Sequence, residues 1–170
     1  MAGKIIIAPA YERIDGPLTF LAGPIQGAPR WQDNAIRIIG DYAPAMNIAS
    51  PRRKGVTTGD FTETMYNEQV DWETYHLRHA GRDGVILFWL AKEKEHYCHR
   101  AYAQTSRFEL AEWKTMRMFT TARLVVGIQE GFTGARYIRR RFAHDCPRVP
   151  VCRTLDETCK MAMEEASKKR

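Results

Sequence analysis

The sequence predicts an α/β fold, a doubly wound, mainly parallel sheet sandwiched between helices in three α/β/α layers. Three observations predict it. Short apolar runs alternate with segments of helical periodicity along the 170 residues, the pattern of successive βα units. The run Val85-Ile-Leu-Phe-Trp-Leu90 is apolar at every position, so both faces of that strand are covered, as in a central parallel strand. No internal repeat and no low-complexity linker interrupts the chain. Residues 1–170 therefore form one domain, long enough to bury a core.

Leu18-Thr-Phe-Leu-Ala22 reads as the first principal strand and ends in Gly23-Pro24, with Lys4-Ile-Ile-Ile7 as an edge strand before it. A helix over 31–42 takes its apolar side from Ile36, Ile38 and Ile39. Met46-Asn-Ile-Ala49 is a short strand closed by Ser50-Pro51, and 52–60 is a loop rich in Arg, Lys, Gly and Thr. Thr62 caps a long helix running to about His79, with an apolar stripe through Tyr66, Val70, Leu77 and Ala80. After the central strand comes a loop of about a dozen residues, long enough for a βα connection to suggest function. The helix bearing Glu109 follows, then the strand Arg123-Leu-Val-Val-Gly127, a helix over 134–143, a short strand over 149–152, and a last helix capped by Thr154.

Composition narrows the function classes. The longest apolar run, residues 84–91, is too short to span a bilayer, and the N-terminal residues do not resemble a signal peptide. The expected location is cytoplasmic. Cys98, Cys146, Cys152 and Cys159 form no CxxC pair and are expected to be free thiols. His96-Tyr-Cys98-His99 has no second ligand pair at zinc spacing and reads as a polar loop, so no metal is expected. The net charge of +6 comes in large part from Arg136, Arg139, Arg140 and Arg141 and the tail Lys168-Lys169-Arg170. With no aromatic platform interleaved among these arginines, the run reads as a solvated helix face and nucleic acid is not an expected partner. A modest positive field still attracts phosphorylated small substrates. Neither GxGxxG nor GxxxxGK[ST] is present, which argues against dinucleotide and nucleoside triphosphate chemistry.

Two acids are candidates for chemistry. Glu73 falls on the apolar stripe of the 62–79 helix, and a buried carboxylate costs several kcal/mol unless it is paired or hydrogen-bonded. Either it faces a pocket and holds a polar ligand, or the stripe drifts and leaves it half exposed beside Arg78 or His76. Glu109 stands where Ser106-Arg-Phe-Glu109 fits a capping box, with Ser106 as N-cap and Glu109 at the third helical position. The same first-turn placement also suits a nucleophile, kept ionised by the helix dipole just beyond the carboxyl end of a strand, where open α/β sheets bind ligands. Spacing does not separate the two roles. Phe20, Trp31, Trp72, Trp89 and Tyr102 lie near strand ends, where their rings serve either to sandwich a nucleobase or to pack the core.

These motifs, taken together, resemble a known family. Phe20-Leu-Ala-Gly-Pro-Ile25 followed by Trp31, then Gln69-Val-Asp-Trp-Glu73, Val85-Ile-Leu-Phe-Trp89, Arg107-Phe-Glu-Leu110 and Leu124-Val-Val-Gly127 resemble the nucleoside 2-deoxyribosyltransferase-like family in order and approximate spacing over residues 18 to 130. The resemblance implies a flavodoxin-like five-stranded fold and cleavage of a nucleoside N-glycosidic bond through a covalent glycosyl-enzyme intermediate. It implies Glu109 as the nucleophile, with Ala111 in place of the family's common glycine, and Glu73 as the acid that contacts the nucleobase. It also implies a substrate site around Phe20, Gly23, Pro24, Trp31, Gln69, Trp72, Trp89, Ser106 and Arg107. The family's second acid shortly before the nucleophile has no counterpart in Ala103 to Ser106. No cofactor is implied. Expected partners are nucleosides and nucleobases, and a homodimer or larger homo-oligomer, because relatives complete their sites with a neighbouring subunit.

On this reading Glu109 attacks the anomeric carbon, and a second base regenerates a nucleoside with retention. Attack by water makes the enzyme a nucleoside or nucleoside 5′-monophosphate N-glycosidase instead, with a phosphate held by Thr105, Ser106 and Arg107 or by Arg52 and Arg53. A non-catalytic nucleotide-sensing module is the alternative outside enzymology.

Overall fold

The computed structural model describes residues 2–55 and 61–168. Part of the expected 52–60 loop, residues 56–60, lies outside the described residues, as do Lys169 and Arg170 of the basic tail. The elements run β1 (Ile5–Ile7), β2 (Leu18–Ala22), α1 (Trp31–Tyr42), β3 (Asn47–Ser50), α2 (Glu63–Asp83), β4 (Gly84–Leu90), α3 (Gln104–Phe119), β5 (Leu124–Ile128), α4 (Ala135–Asp145), β6 (Val151–Cys152) and α5 (Leu155–Ser167).

The strands form one sheet in the order β1-β3-β2-β4-β5-β6, every pairing parallel. From β2 onward this is the flavodoxin-like order, 2-1-3-4-5. The sheet has six strands rather than five, because the edge strand β1 adds itself to β3 in register Ile5 to Ile48. Parallel crossovers are right-handed, so the chain must change faces where the strand order reverses. Accordingly α1 and α5 pack on one side, with Ala35, Ile39, Cys159 and Ala162 against Leu87 and Val125. On the other side α2, α3 and α4 bring Trp72, Leu110, Trp113 and Phe142 against Phe20, Phe88 and Val126. The reversal falls between β2 and β4, and the crevice there is where ligands of such sheets bind.

Caps hold two of the helices as expected. Thr62 Oγ1 accepts from the Met65 amide at 3.2 Å and Thr154 Oγ1 from the Glu157 amide at 3.2 Å. Two expectations need correction. The buried face of α2 is not the stripe of Tyr66 and Val70, which are 60% and 42% exposed; it is Gln69, Trp72, His76, Leu77 and Ala80. Hydrogen bonds offset part of the polarity of that face, although His76 Nε2 has no partner among the described residues. Trp72 Nε1 donates to Ala10 O at 2.7 Å and His76 Nδ1 to Trp72 O at 2.9 Å. The second correction concerns α3. It starts at Gln104 on a left-handed Ala103 (φ 56°) with no side-chain cap, so Ser106 is not an N-cap and Glu109 is not at the third position.

The four cysteines are free thiols, three of them buried. Among the described residues, no helix is long and apolar enough to cross a membrane.

Candidate functional site

A cavity of about 620 Å³ opens beyond the carboxyl ends of β2, β3 and β4, within the usual size range for a small-molecule site. Its floor is Phe20 and the β2–α1 loop, one wall is α2, another is the start of α3, and residues of the long β4–α3 connection lie over it.

The β2–α1 loop is pinned at several points. Trp31 Nε1 donates to Pro24 O at 2.9 Å, and the Lys94 and Glu95 amides donate to Gly27 O. At Gly23, with φ +148°, a Cβ would sit 2.3 Å from Trp89 O. Only glycine lets this loop run so close to β4. Gly23 and Pro24 thus reach the cavity wall through packing that their neighbours Trp31 and Trp89 enforce.

The cavity's acids are Glu73 from α2 and Glu109 from α3. Their carboxyl groups are hydrogen-bonded to each other. Each side chain keeps a little accessible surface, which is cavity surface; otherwise protein surrounds both. Behind Glu73 runs a chain of donors. Arg53 Nε donates to Gln69 Oε1 at 2.8 Å, which fixes the orientation of the amide, and Gln69 Nε2 then donates to Glu73 Oε1 at 2.8 Å and to Pro51 O at 2.7 Å. Arg53 is itself held by Met65 O at 3.1 Å and Glu68 at 3.3 Å.

These contacts decide how firmly the pair keeps its proton. Burial raises the proton affinity of Glu73, while the Gln69 and Glu109 hydrogen bonds and the Arg53 charge oppose the rise. Glu109 has no such support. Burial first, then the charge of Glu73 and the hydrogen bond to it, push its carboxyl up to about 8. Both carboxyls are raised, so the pair retains a proton at a pH where an isolated glutamate has lost it. This reverses the expectation that a helix terminus keeps Glu109 ionised. Glu109 is the sixth residue of α3, beyond the turn over which the dipole acts. The capping alternative for Glu109 falls by the same observation, since its carboxyl meets Glu73 and the cavity rather than its own helix amides. For Glu73 the drifting-stripe alternative falls too.

Of the other expected site residues, Phe20, Gly23, Pro24, Gln69 and Ser106 line the cavity, while Trp31, Trp72, Trp89 and Arg107 do not. Trp72 is fully buried, with its ring 4.0 Å from that of His76. Trp31 and Trp89 pack with α1 and α5 on the opposite face of the sheet. These rings are core, so they do not flank a base. Arg107 is two residues from Glu109, about 200° around the helix, and cannot share its face. Its guanidinium lies 4.5 Å from the Phe132 ring centroid and donates to Thr133 O at 2.6 Å. Tyr102, the fifth ring, donates to Ala91 O at 2.7 Å.

Several lining residues went unread in the sequence. Tyr66 and Val70 were assigned to the core but face the cavity, and Tyr97 and Arg100 come from the long connection. Arg53 was considered only for phosphate, yet its side chain is 8% exposed and committed to Gln69. Its place just past β3 was the available signal. Arg52 beside it differs. It lines the cavity, half-buried, and among the described residues its hydrogen-bond partners are the neutral oxygens of Pro29 and Gln32 at 3.3 Å. Burial, then the nearby Arg30, lower its proton affinity, and the charge of Asp33 opposes them without reversing the direction. Among the described residues, no group of three His, Cys, Asp or Glu is placed to hold a metal.

Chemically, the site offers two interacting carboxyls, both with raised proton affinity, in a cavity with cations at its rim. Comparison of the chain with models of known protein families gives no match, nor does comparison with curated protein sequences.

Proposed function

We propose that the protein is a nucleoside 2-deoxyribosyltransferase that moves a (deoxy)ribosyl group between nucleobases through a covalent intermediate on Glu109. The observation that carries this reading is the Glu73–Glu109 carboxyl pair, brought together in one cavity at the switch point of the sheet.

The pair has what the reaction needs. As the C1′–N bond breaks, its electron pair goes to the base nitrogen and the shared proton passes through Glu73 to that base. Glu109, left as a carboxylate, forms the C1′–O bond. A second base then attacks C1′, Glu109 departs as a carboxylate, and the proton that base sheds returns to Glu73. The resemblance in motif order from Phe20 to Gly127 supports the same assignment. Gln69 and Arg53 position Glu73, and Phe20, Gly23, Pro24 and Ser106 shape the substrate site.

The test is incubation with a slow 2-fluoro-nucleoside followed by intact and peptide mass spectrometry. A sugar adduct on Glu109 is expected, and so is base exchange between deoxyinosine and adenine. No adduct and no exchange would overturn the proposal.

One observation favours a second reading. Among the described residues Arg52 hydrogen-bonds only neutral oxygens, and a substrate phosphate would give it a charged partner. A nucleoside 5′-monophosphate N-glycosidase, with water as acceptor, fits that feature. Free base and sugar phosphate released from a deoxynucleoside monophosphate, without exchange, would favour it.

A further inference from the structure

We propose that the solvent face of α4 binds a single-stranded polynucleotide, with its phosphates on arginines and a base stacked on Tyr137. This surface is separate from the cavity, and the inference stands or falls independently of the reaction assigned to Glu109.

Charge is concentrated here. Residues 134–148 carry five arginines against one aspartate, a net +4 of the chain's +6. At 3.6 residues per turn, Arg136, Arg140, His144, Tyr137 and Arg141 fall on one arc of about 140°, and all five are exposed. Phe142 faces the core, and Arg139 is tied to Ile128 O at 3.0 Å. The acid of the helix, Asp145, is already taken by Lys114 of α3, His144 and Arg141. It therefore does not neutralise Arg136 or Arg140, neither of which has a partner among the described residues.

Nucleic acid is not the partner expected of an arginine run with no aromatic platform. Tyr137 is that platform. It is 65% exposed, and Arg141 holds it, donating to its hydroxyl at 3.0 Å with the guanidinium 5.9 Å from the ring centroid. Unpaired guanidiniums beside an exposed ring are what a single strand offers partners for, since every base has a face to stack and every linkage a phosphate. An anionic bilayer fits less well. Amphipathic helices that lie on membranes insert a large apolar face, and the exposed side of α4 offers only Tyr137 and the small Ala143.

The test is fluorescence anisotropy of the full chain with a labelled oligothymidylate, a duplex of equal length, and anionic phosphatidylserine vesicles, at 50 to 200 mM salt. With three phosphates neutralised, the log–log salt slope is expected near about −2, roughly a twenty-fold loss over that range. Arg136→Gln with Arg140→Gln should flatten the slope by about 1.4. Tyr137→Ser should weaken the single strand about ten-fold while sparing the duplex. Circular dichroism and thermal melting report that the variants fold; Arg136 and Arg140 hold nothing in place, so no shift is expected. Absent strand binding, strand binding indifferent to the two arginines, or binding to vesicles alone overturns the proposal. Equal loss of strand and duplex in Tyr137→Ser overturns its stacking part.

Discussion

The carboxyl groups of Glu73 and Glu109 are hydrogen-bonded to each other, although the residues stand 36 positions apart on different helices. The contact exists because α2 and α3 cover the same face of the sheet and both turn an acid toward the crevice beyond β2 and β4. Two carboxylates in contact cannot both ionise cheaply, so the pair titrates as a unit.

Stability should record that proton. Glu109 has a folded proton affinity raised to about 8 from an ordinary value of 4.5. Between those values the native state keeps a proton that the unfolded chain has lost, so stability falls as pH rises. The contribution is complete below about pH 4.5 and gone above about pH 8. Glu109→Gln cannot titrate and should lose this slope. Urea unfolding at pH 5, 6.5 and 8 should show the native protein weakening relative to the variant at each step. Parallel curves would mean that the pair does not hold a proton.

Gln69 should act on the same equilibrium from the other side. Its Nε2 donates to Glu73 and favours the ionised form. In Gln69→Leu that support is gone, so the pair should reach its singly charged state only at higher pH. The acid limb of the kcat/KM profile for base exchange is expected to move up by about one unit, equivalent to one charge-assisted hydrogen bond. A drop in rate without a shifted limb would assign Gln69 to packing alone.

Arg52 discriminates between the two substrate classes. If a phosphate sits on its guanidinium, Arg52→Ala should lower kcat/KM for a deoxynucleoside monophosphate by about 10- to 100-fold, the value of a charged hydrogen bond. Activity on the free nucleoside should be almost unchanged. Equal effects on both substrates would remove the phosphate from that position.

The architecture was legible because burial writes itself into composition. The run Val85 to Leu90 is apolar throughout, and β4 is buried throughout. The acids were legible for the opposite reason: Glu73 interrupts an otherwise apolar helix face, and Glu109 belongs to a motif with a recognisable neighbourhood. What failed was direction. Trp72 and Glu73 are adjacent, yet about 100° around the helix sends one into the core and the other into the cavity. Hydrophobicity placed Tyr66 and Val70 inside, whereas the core face is built partly of Gln69, whose amide is met by Pro51 O 18 positions away, and His76, whose Nδ1 is met by Trp72 O one turn back. The pair's hold on its proton was invisible as well, because it depends on Arg53, which reaches Glu73 only through Gln69.

Trp72 separates core from site most cleanly. Its indole is fully buried and tilted against Phe20, with ring centroids 6.0 Å apart. Its Nε1 donates to Ala10 O, tying the segment after β1 to α2. Trp72→Phe deletes that hydrogen bond and part of the packing volume at a fully buried position, so a loss of about 1–3 kcal/mol is expected in denaturant unfolding. The cavity lies on the other side of Glu73, so on the proposed function KM for the nucleoside should be close to that of the native protein in the variant that remains folded. If Trp72 instead stacked on the base, KM would rise by an order of magnitude while stability changed little. Measuring both in one variant assigns the ring to the fold or to the ligand.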